Sequence, residues 1–410
     1  VIPKALGTST QRNRSNKEGT MPTNTLGYYD PAFYANEALI QLRKSLGFAN
    51  TVYMGFDAER RAFGRGDVIN IKRPANFTAQ AAPSSAQDMT TGSVQIALDQ
   101  WQEVKFSLTD KEIAYTGDQI IRDHIAPAAY ALADKIDQDG CALYKQVGAV
   151  STVSAPATAD NLLDARRILM IAGAPMIDPS RLSVMVSPTV EQQLLNTTAP
   201  ALAQWQGAGP TGEATQLTGA LGQRFGFGRI FPNQNVSAHT AGTYTGLTSP
   251  VCTAIAGATS VTITGGGGGS GTLKAGDIVT IGGRTYAVTA DVTGGAAAIT
   301  VSIAPALEVS VTAAVCSFNT TTTIAENLAY HRDAFGLAMA RLPDFSNTGL
   351  FGTAALGAQV ASVQDPVTGL AVRSRIYYVG NSSEVHVALD VLYGWKCLNP
   401  RLAMRLRDVS

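Results

Sequence analysis

Charge is what this chain has least of. Only 15% of its 410 residues are Asp, Glu, Lys or Arg, against about 25% in an ordinary globular protein. The 31 basic residues are balanced by 31 acidic ones. Proteins that grip nucleic acid through its phosphates carry a basic excess, and the chain as a whole has none. So little charge also gives a monomer little means of staying dispersed. The expectation is a subunit whose surface is mostly covered by neighbours; the rival is a β-rich domain with small surface residues.

Other scarcities exclude further classes. The four cysteines, Cys141, Cys252, Cys316 and Cys397, lie far apart and form no C-x-x-C pair, which argues against structural zinc. Reduced, buried thiols are expected, with Cys252 and Cys316 flanking one β-rich stretch. His124, His239, His331 and His386 fall at no metal spacing. No Ser or Cys sits in a nucleophile elbow. The chain is therefore expected to be no enzyme and to hold no cofactor or metal. No run of 18 apolar residues occurs, so no membrane-spanning helix is expected, and no apolar h-region opens the chain.

What is abundant is Gly, Ala and Thr. Residues 1–20 have two readings: a translated leader before a natural start at Met21, or a polar arm carrying Arg12, Arg14 and Lys17. Asp30 and Pro31 open a short amphipathic helix with Leu39, Leu42 and Leu46 on one face and Gly47 at its end. Its face packs either on its own domain or on a neighbour. Residues 58–108 read as a long open β-hairpin. Its outgoing strand stops at Pro74, its tip is polar around Gln80–Gly92, and its return strand runs from Val94 to Leu108 through Trp101. Such an arm cannot bury both faces alone. The expected contacts to a neighbour are Arg60, Arg61, Arg65, Asp67, Lys72, Arg73 and Trp101.

Thr109 to Glu112 is a capping box that starts a helix near residue 110. Pro127 is expected to open a second, long helix with Ala129, Leu132, Ile136, Gly140, Leu143 and Val147 on one face. Residues 159–235 alternate helix and strand, with Asp160 and Ser187 as caps and a glycine-rich strand over 222–232. From about 240 to 320 the text changes to short Thr/Val/Ala strands with turn signals, the pattern of a small barrel or sandwich. Helix–strand text resumes at Ile324, so this module is expected to be an insert.

Three motifs mislead. Gly265–Gly269 lacks the Lys-Ser/Thr and helix of a phosphate loop and reads as a hairpin tip. Arg65-Gly66-Asp67 is a turn before a strand. Asp137-Gln138-Asp139-Gly140 fails as a calcium loop, because Lys135 and Gln146 stand where acids are needed; these acids read as solvated helix residues.

Two motifs are informative. Asn327 to Ala338 contains His331-Arg332-Asp333-Ala334-Phe335, expected as one strand with Leu328, Tyr330 and Phe335 packed and Arg332 and Asp333 at a contact. Gly369 to Arg405 reads as two long alternating strands, a tight turn and a closing strand, with Arg373 and Arg375 exposed. It holds Asp390-x-x-Tyr393-Gly394 followed by Asn399-Pro400. Both motifs, and the order of parts around them, resemble tailed-bacteriophage major capsid proteins of the Hong Kong 97 type. The subgroup resembled carries an inserted β-barrel, as in the coat protein of the short-tailed Salmonella phage; Leu273 to Gly283 is similar to its Lys-x-Gly-Asp strand.

The resemblance implies an α+β fold. Its parts would be an N-terminal arm (1–57), an extended hairpin loop (58–108), a spine helix with peripheral and axial α/β region (109–239), an inserted β-barrel (240–322) and the remaining axial and peripheral strands (323–410). It implies a shell of hexamers and pentamers of this chain around packaged double-stranded DNA, without sequence-specific binding. Scaffolding and portal proteins would be the other partners, with no membrane, and assembly in the host bacterial cytoplasm. The same fold also serves cargo-holding nanocompartments, and a secreted β-rich adhesin or surface protein is a third reading.

Overall fold

The computed structural model describes residues 31–54, 68–73, 92–153, 157–195, 221–295, 297–319, 324–343, 358–365 and 368–408, besides 79, 81, 82 and 86. Arg60, Arg61, Arg65, Asp67 and the cap at Asp30 lie outside them, as do residues 1–20.

The first half holds four described helices: α1 (Pro31–Ser45), α2 (Asp110–Cys141), α3 (Ala159–Ile171) and α4 (Pro188–Leu195). Strands β1 (Val68–Arg73), β2 (Gly92–Ala97) and β3 (Gln100–Thr109) precede α2, and β4 (Val150–Val153) follows it. Then come β5 (Leu182–Val186), β6 (Gly222–Arg224), β7 (Phe227–Pro232) and β8 (Ala238–His239). The barrel region contributes β9 (Thr248–Ala254), β10 (Ser260–Gly266), β11 (Thr272–Leu273), β12 (Ile278–Ile281), β13 (Arg284–Val288), β14 (Val292–Thr293), β15 (Ala298–Ala304) and β16 (Val311–Asn319). The chain ends with β17 (Ile324–His331), β18 (Phe335–Ala340), β19 (Ala358–Gln364), β20 (Ala371–Val379), β21 (Glu384–Cys397) and β22 (Ala403–Asp408).

Six strands close a barrel in the order β10-β15-β13-β12-β16-β9. Alternation drives it: along β10, Val261 and Ile263 point inward and Thr262 and Thr264 outward. Cys252 and Cys316 are free thiols in its interior. The barrel lies in sequence between β8 and β17, and those two strands pair with each other. The chain thus leaves and re-enters the body at one place.

The body has two larger sheets. One runs β4-β22-β17-β5-β7-β6, with β8 beside β17; α3 and α4 share an apolar core with it. The other is built on the long β21, which pairs with β20 and β18 on one side and β3 on the other, with β19 beyond β20. Against that sheet pack α1 and α2, through Tyr34, Ala38 and Leu42 and through Ala129, Leu132 and Ile136. The apolar face of α1 is therefore covered within its own chain.

The structure departs from the sequence expectations at several points. Among the described residues the hairpin is β1 with β2; the remainder of the expected return strand, β3, pairs along ten residues with β21. A break at Leu98-Asp99 separates the two, so Trp101 and Phe106 belong to the large sheet. Pro127 lies inside α2 rather than opening it. Its lost N–H bond is offset by buried neighbours, Ile125, Ala128 and Ala129. The cap of α3 is Thr158, which forms a capping box with Asn161, and Asp160 sits in the first turn. Residues 222–232 fold as a hairpin, β6 to β7, because Phe225 and Gly226 both take positive φ in its two-residue turn. Residues 327–338 are two strands in different sheets, and Arg332 to Ala334 is a single 3-10 turn between them.

Candidate assembly site

The two informative motifs meet. At the crossover from β17 to β18, the carbonyl of Ala334 accepts the backbone N–H groups of Leu398 and Asn399 at 2.8 and 3.1 Å. Asn399 then takes the N–H of Arg401 on its own side chain and Pro400 begins a short turn. On the other side, His331 Nδ1 faces the N–H of Asp333 at 3.2 Å. His331 is buried, and that burial lowers its pKa. The crossover thus fixes how the two sheets meet, and it turns Arg332 outward. The Arg332 guanidinium lies 5.9 Å from the Tyr53 ring, and Asp333 is 3.9 Å from Arg181.

The Asp-x-x-Tyr-Gly motif has a physical reading at each position. Asp390 is fully buried and binds Arg373, with Nε to Oδ1 at 3.0 Å and Nη2 to Oδ2. Arg373, expected to be exposed, is therefore buried as one half of an ion pair. Arg375 reaches both Asp390 and Glu103. The Tyr393 hydroxyl donates to Asp139 on α2 at 2.6 Å, tying sheet to helix. At Gly394 an added Cβ would run into the carbonyl oxygen of Ala97, at the base of the hairpin.

The N-terminal segment is clamped by Asp137, read from sequence as solvated. Its carboxylate is buried and accepts the N–H groups of Gly47, Phe48 and Ala49 at 2.6, 3.0 and 3.1 Å. Desolvation raises its pKa, opposed by those three bonds. Phe48 stacks on Trp395 at 5.4 Å, and both press on Gly140, where a Cβ would lie 2.7 Å from each ring.

Of the contact residues expected from sequence, Lys72 and Arg73 are on β1. Trp101 is 59% exposed on β3, where its indole N–H donates to Asp390 at 3.2 Å and Arg373 lies 6.0 Å from its ring. Arg332 and Asp333 sit apart from it, at the sheet crossover. Sequence reasoning placed Asp137 in solvent and missed Glu326, Arg405 and Arg407. The signal for the last three was a charge placed inside an otherwise apolar strand pattern.

Among the described residues no group of His, Cys, Asp and Glu is arranged to hold a metal ion. No helix among them is long and apolar enough to cross a membrane.

A family model described as phage capsid protein matches residues 91–262. The matched segment runs from β2 through α2 and strands β4 to β8 to the second barrel strand, less than half of the chain. No curated protein matches. Solved structures with similar chains include one from Mycobacterium phage Che8, with 15% identity and a TM-score of 0.48, covering 88% of this chain and 90% of that one. Another is the mature capsid of bacteriophage PhiM1, with 11% identity and a TM-score of 0.43, covering 84% and 83%. A third is a virus-like particle from Pyrococcus furiosus, with 9% identity and a TM-score of 0.38, covering 91% and 97%.

Proposed function

We propose that this chain is the major capsid protein of a tailed phage and performs no catalysis. It assembles with copies of itself into hexamers and pentamers of an icosahedral shell, which encloses double-stranded DNA without reading its sequence. Scaffolding and portal proteins are its other partners, assembly takes place in the host bacterial cytoplasm, and the virion capsid is where it ends up. The observation that carries this reading is the family match over residues 91–262, which contains the spine helix. The domain layout we propose is that of the Hong Kong 97 type, with the barrel as its insert. Support for the insert comes from the pairing of β8 with β17 on either side of it.

The contact surfaces we propose are the β1–β2 hairpin, with the segment before it that carries Arg60, Arg61, Arg65 and Asp67, the exposed face of Trp101, and the crossover residues Arg332 and Asp333. A charge-poor chain gains shell stability from many repeated small contacts rather than a few strong ones. Expression of the full chain followed by negative-stain microscopy and sedimentation tests the reading. Closed particles of uniform size are expected. Folded monomers only, in conditions that support scaffolded assembly, would overturn it.

A further inference from the structure

The barrel interior holds two thiols that bear on one another. Cys252 lies on β9 and Cys316 on β16, the first and last strands of the barrel, and these two strands pair to close it. Cys252 stands opposite Ala314, so Cys316 is its diagonal neighbour on the same inward face. The Cys316 thiol leans back along its strand and donates to the carbonyl of Ala314, the residue opposite Cys252, at 3.4 Å. Desolvation raises the pKa of both thiols, that of Cys316 to about 12, and a hydrogen bond between them lowers Cys252 and raises Cys316. Both thiols are free and buried.

The seam that carries them is interrupted. The register of β9 with β16 shifts between Val311 and Ala314, and its register with β10 shifts between Thr264 and Gly266. Ser249 on β9 and Ala313 on β16 both take positive φ, a conformation that costs any residue with a side chain. A ladder broken on both sides of one strand opens locally more readily than a continuous one.

We propose that Cys252 and Cys316 form a latent disulfide, closed by exchange with a low-molecular-weight disulfide when the seam opens. One protein thiolate attacks a sulfur of the reagent, forming a mixed disulfide and releasing one small thiolate. The other protein thiolate attacks the protein-side sulfur, forming the Cys252–Cys316 bond and releasing the second small thiolate. Two protein thiols are oxidised, one small disulfide is reduced, and the two protons end on the two small thiols. Diagonal neighbours have Cα atoms about 7–8 Å apart, against about 4.4–6.8 Å in a disulfide, so the strands draw together as the bond forms. The bulge beside Ala314 supplies that play. The bond would tie the entry strand of the barrel to its exit strand and fasten the closure covalently. If the chain is the shell subunit proposed above, the bond forms on release from the reducing cell interior; the chemistry itself does not depend on assembly.

The test incubates the full soluble chain with hydroxyethyl disulfide in mildly alkaline buffer, a few degrees below the onset of melting. The reaction is quenched in acid, remaining thiols are alkylated in denaturant, and peptides are mapped without reduction. The expected product is a linked Cys252–Cys316 peptide pair about 2 Da lighter than its two free peptides together, with Cys141 and Cys397 alkylated. Its Tm should rise by at least about 5 °C. Cys316→Ser should instead leave Cys252 as the mixed disulfide with the reagent. Recovery of Cys252 and Cys316 as free thiols, a mixed disulfide that persists on either in the unaltered chain, or a link from either to Cys141 or Cys397 would overturn the proposal. A linked chain that melts no higher would refute the fastening. If Cys316→Ser does not fold, the peptide map of the unaltered chain decides alone. A chain that never forms particles can still carry the bond, so this result and the shell reading fail separately.

Discussion

Inside the barrel the buried side chains are Val261, Ile263, Val279, Ile281, Ile299, Val301 and their like, with two tyrosines and two thiols, while the buried carboxylate of its segment, Asp277, faces His239 of the body. Inside the body, apolar residues share the interior with Asp137, Arg373, Asp390, Glu326, Arg405 and Arg407. The barrel is made of strands close in sequence, and closure leaves it no free edge to manage. Its stability comes from area removed from water, which is non-directional. The body joins segments far apart in the chain, and at several of these joins a charge meets a defined partner. Asp137 ties α2 to the N-terminal segment, and Asp390 ties β21 to β20 and Trp101. Tyr393 with Asp139 ties sheet to spine. Apolar packing alone would let such elements slide. A buried charge tolerates one geometry, because any other leaves it unpaired.

The sharpest way to break this comparison is to remove one half of a body ion pair. Asp390→Ala leaves Arg373 buried without its carboxylate, which is expected to cost about 3–5 kcal/mol. Denaturant unfolding of the unassembled chain measures it, and a loss under 1 kcal/mol would show that the pair is not a lock. In the barrel the matching change is Ile263→Ala, which removes apolar volume and is expected to cost about 2–5 kcal/mol. The difference should lie in where the loss appears. The barrel variant should lower a transition confined to barrel probes, since residues 240–322 are expected to fold as a unit that leaves and re-enters the body at β8 and β17. One shared transition for both variants would merge the two regions into a single cooperative whole. A smaller effect is expected at Gly394→Ala. The added methyl strikes the Ala97 carbonyl, shifting the hairpin base at a cost of about 1–3 kcal/mol. Particle yield should fall further than Tm, because the hairpin is a proposed contact surface.

Local rules read well from the sequence. The capping box at Thr109, the Ser187-Pro188 helix start, the strand runs of β20 and β21 and the short strands of the barrel all follow from neighbours within a few residues. The places that were misread depend on partners far away in the chain. Arg373 looks like an outward residue by alternation, and only Asp390 on the next strand makes it buriable. Asp137 looks solvated on a helical wheel until the N–H groups of residues 47–49 arrive. The return strand of the hairpin is continuous in its β pattern. That pattern does not say that β21 will claim Gln100–Thr109 while β1 keeps Gly92–Ala97. The His331–Phe335 motif was legible as important, yet its role as a change of sheet needed the carbonyl of Ala334 to be seen receiving Leu398 and Asn399. The contact surfaces stay least legible, since four of their nine expected residues precede β1 and lie outside the described residues.

The smallest expected effect is at the start of α2, where a local device sits within the body. Thr109 Oγ1 accepts the N–H of Glu112 at 3.4 Å, and Glu112 Oε2 accepts the N–H of Thr109 at 2.9 Å. The backbone bond from Thr109, then its hydroxyl, lowers the pKa of Glu112 below its usual value. A carboxyl whose folded pKa is depressed adds stability above its unfolded pKa and loses it as pH falls through the folded one. The chain should therefore lose a small increment of stability on acidification from pH 5 downward, and Glu112→Gln should flatten that part of the profile. Thr109→Ala should cost about 1 kcal/mol at neutral pH, the ordinary worth of a helix cap. Because Thr109 is also the last residue of β3, opposite Glu384, the loss tests two joins at once. If the helix cap is all that matters, Thr109→Ser restores it fully. If the strand pairing matters too, serine restores only part, since threonine suits a strand better than serine does.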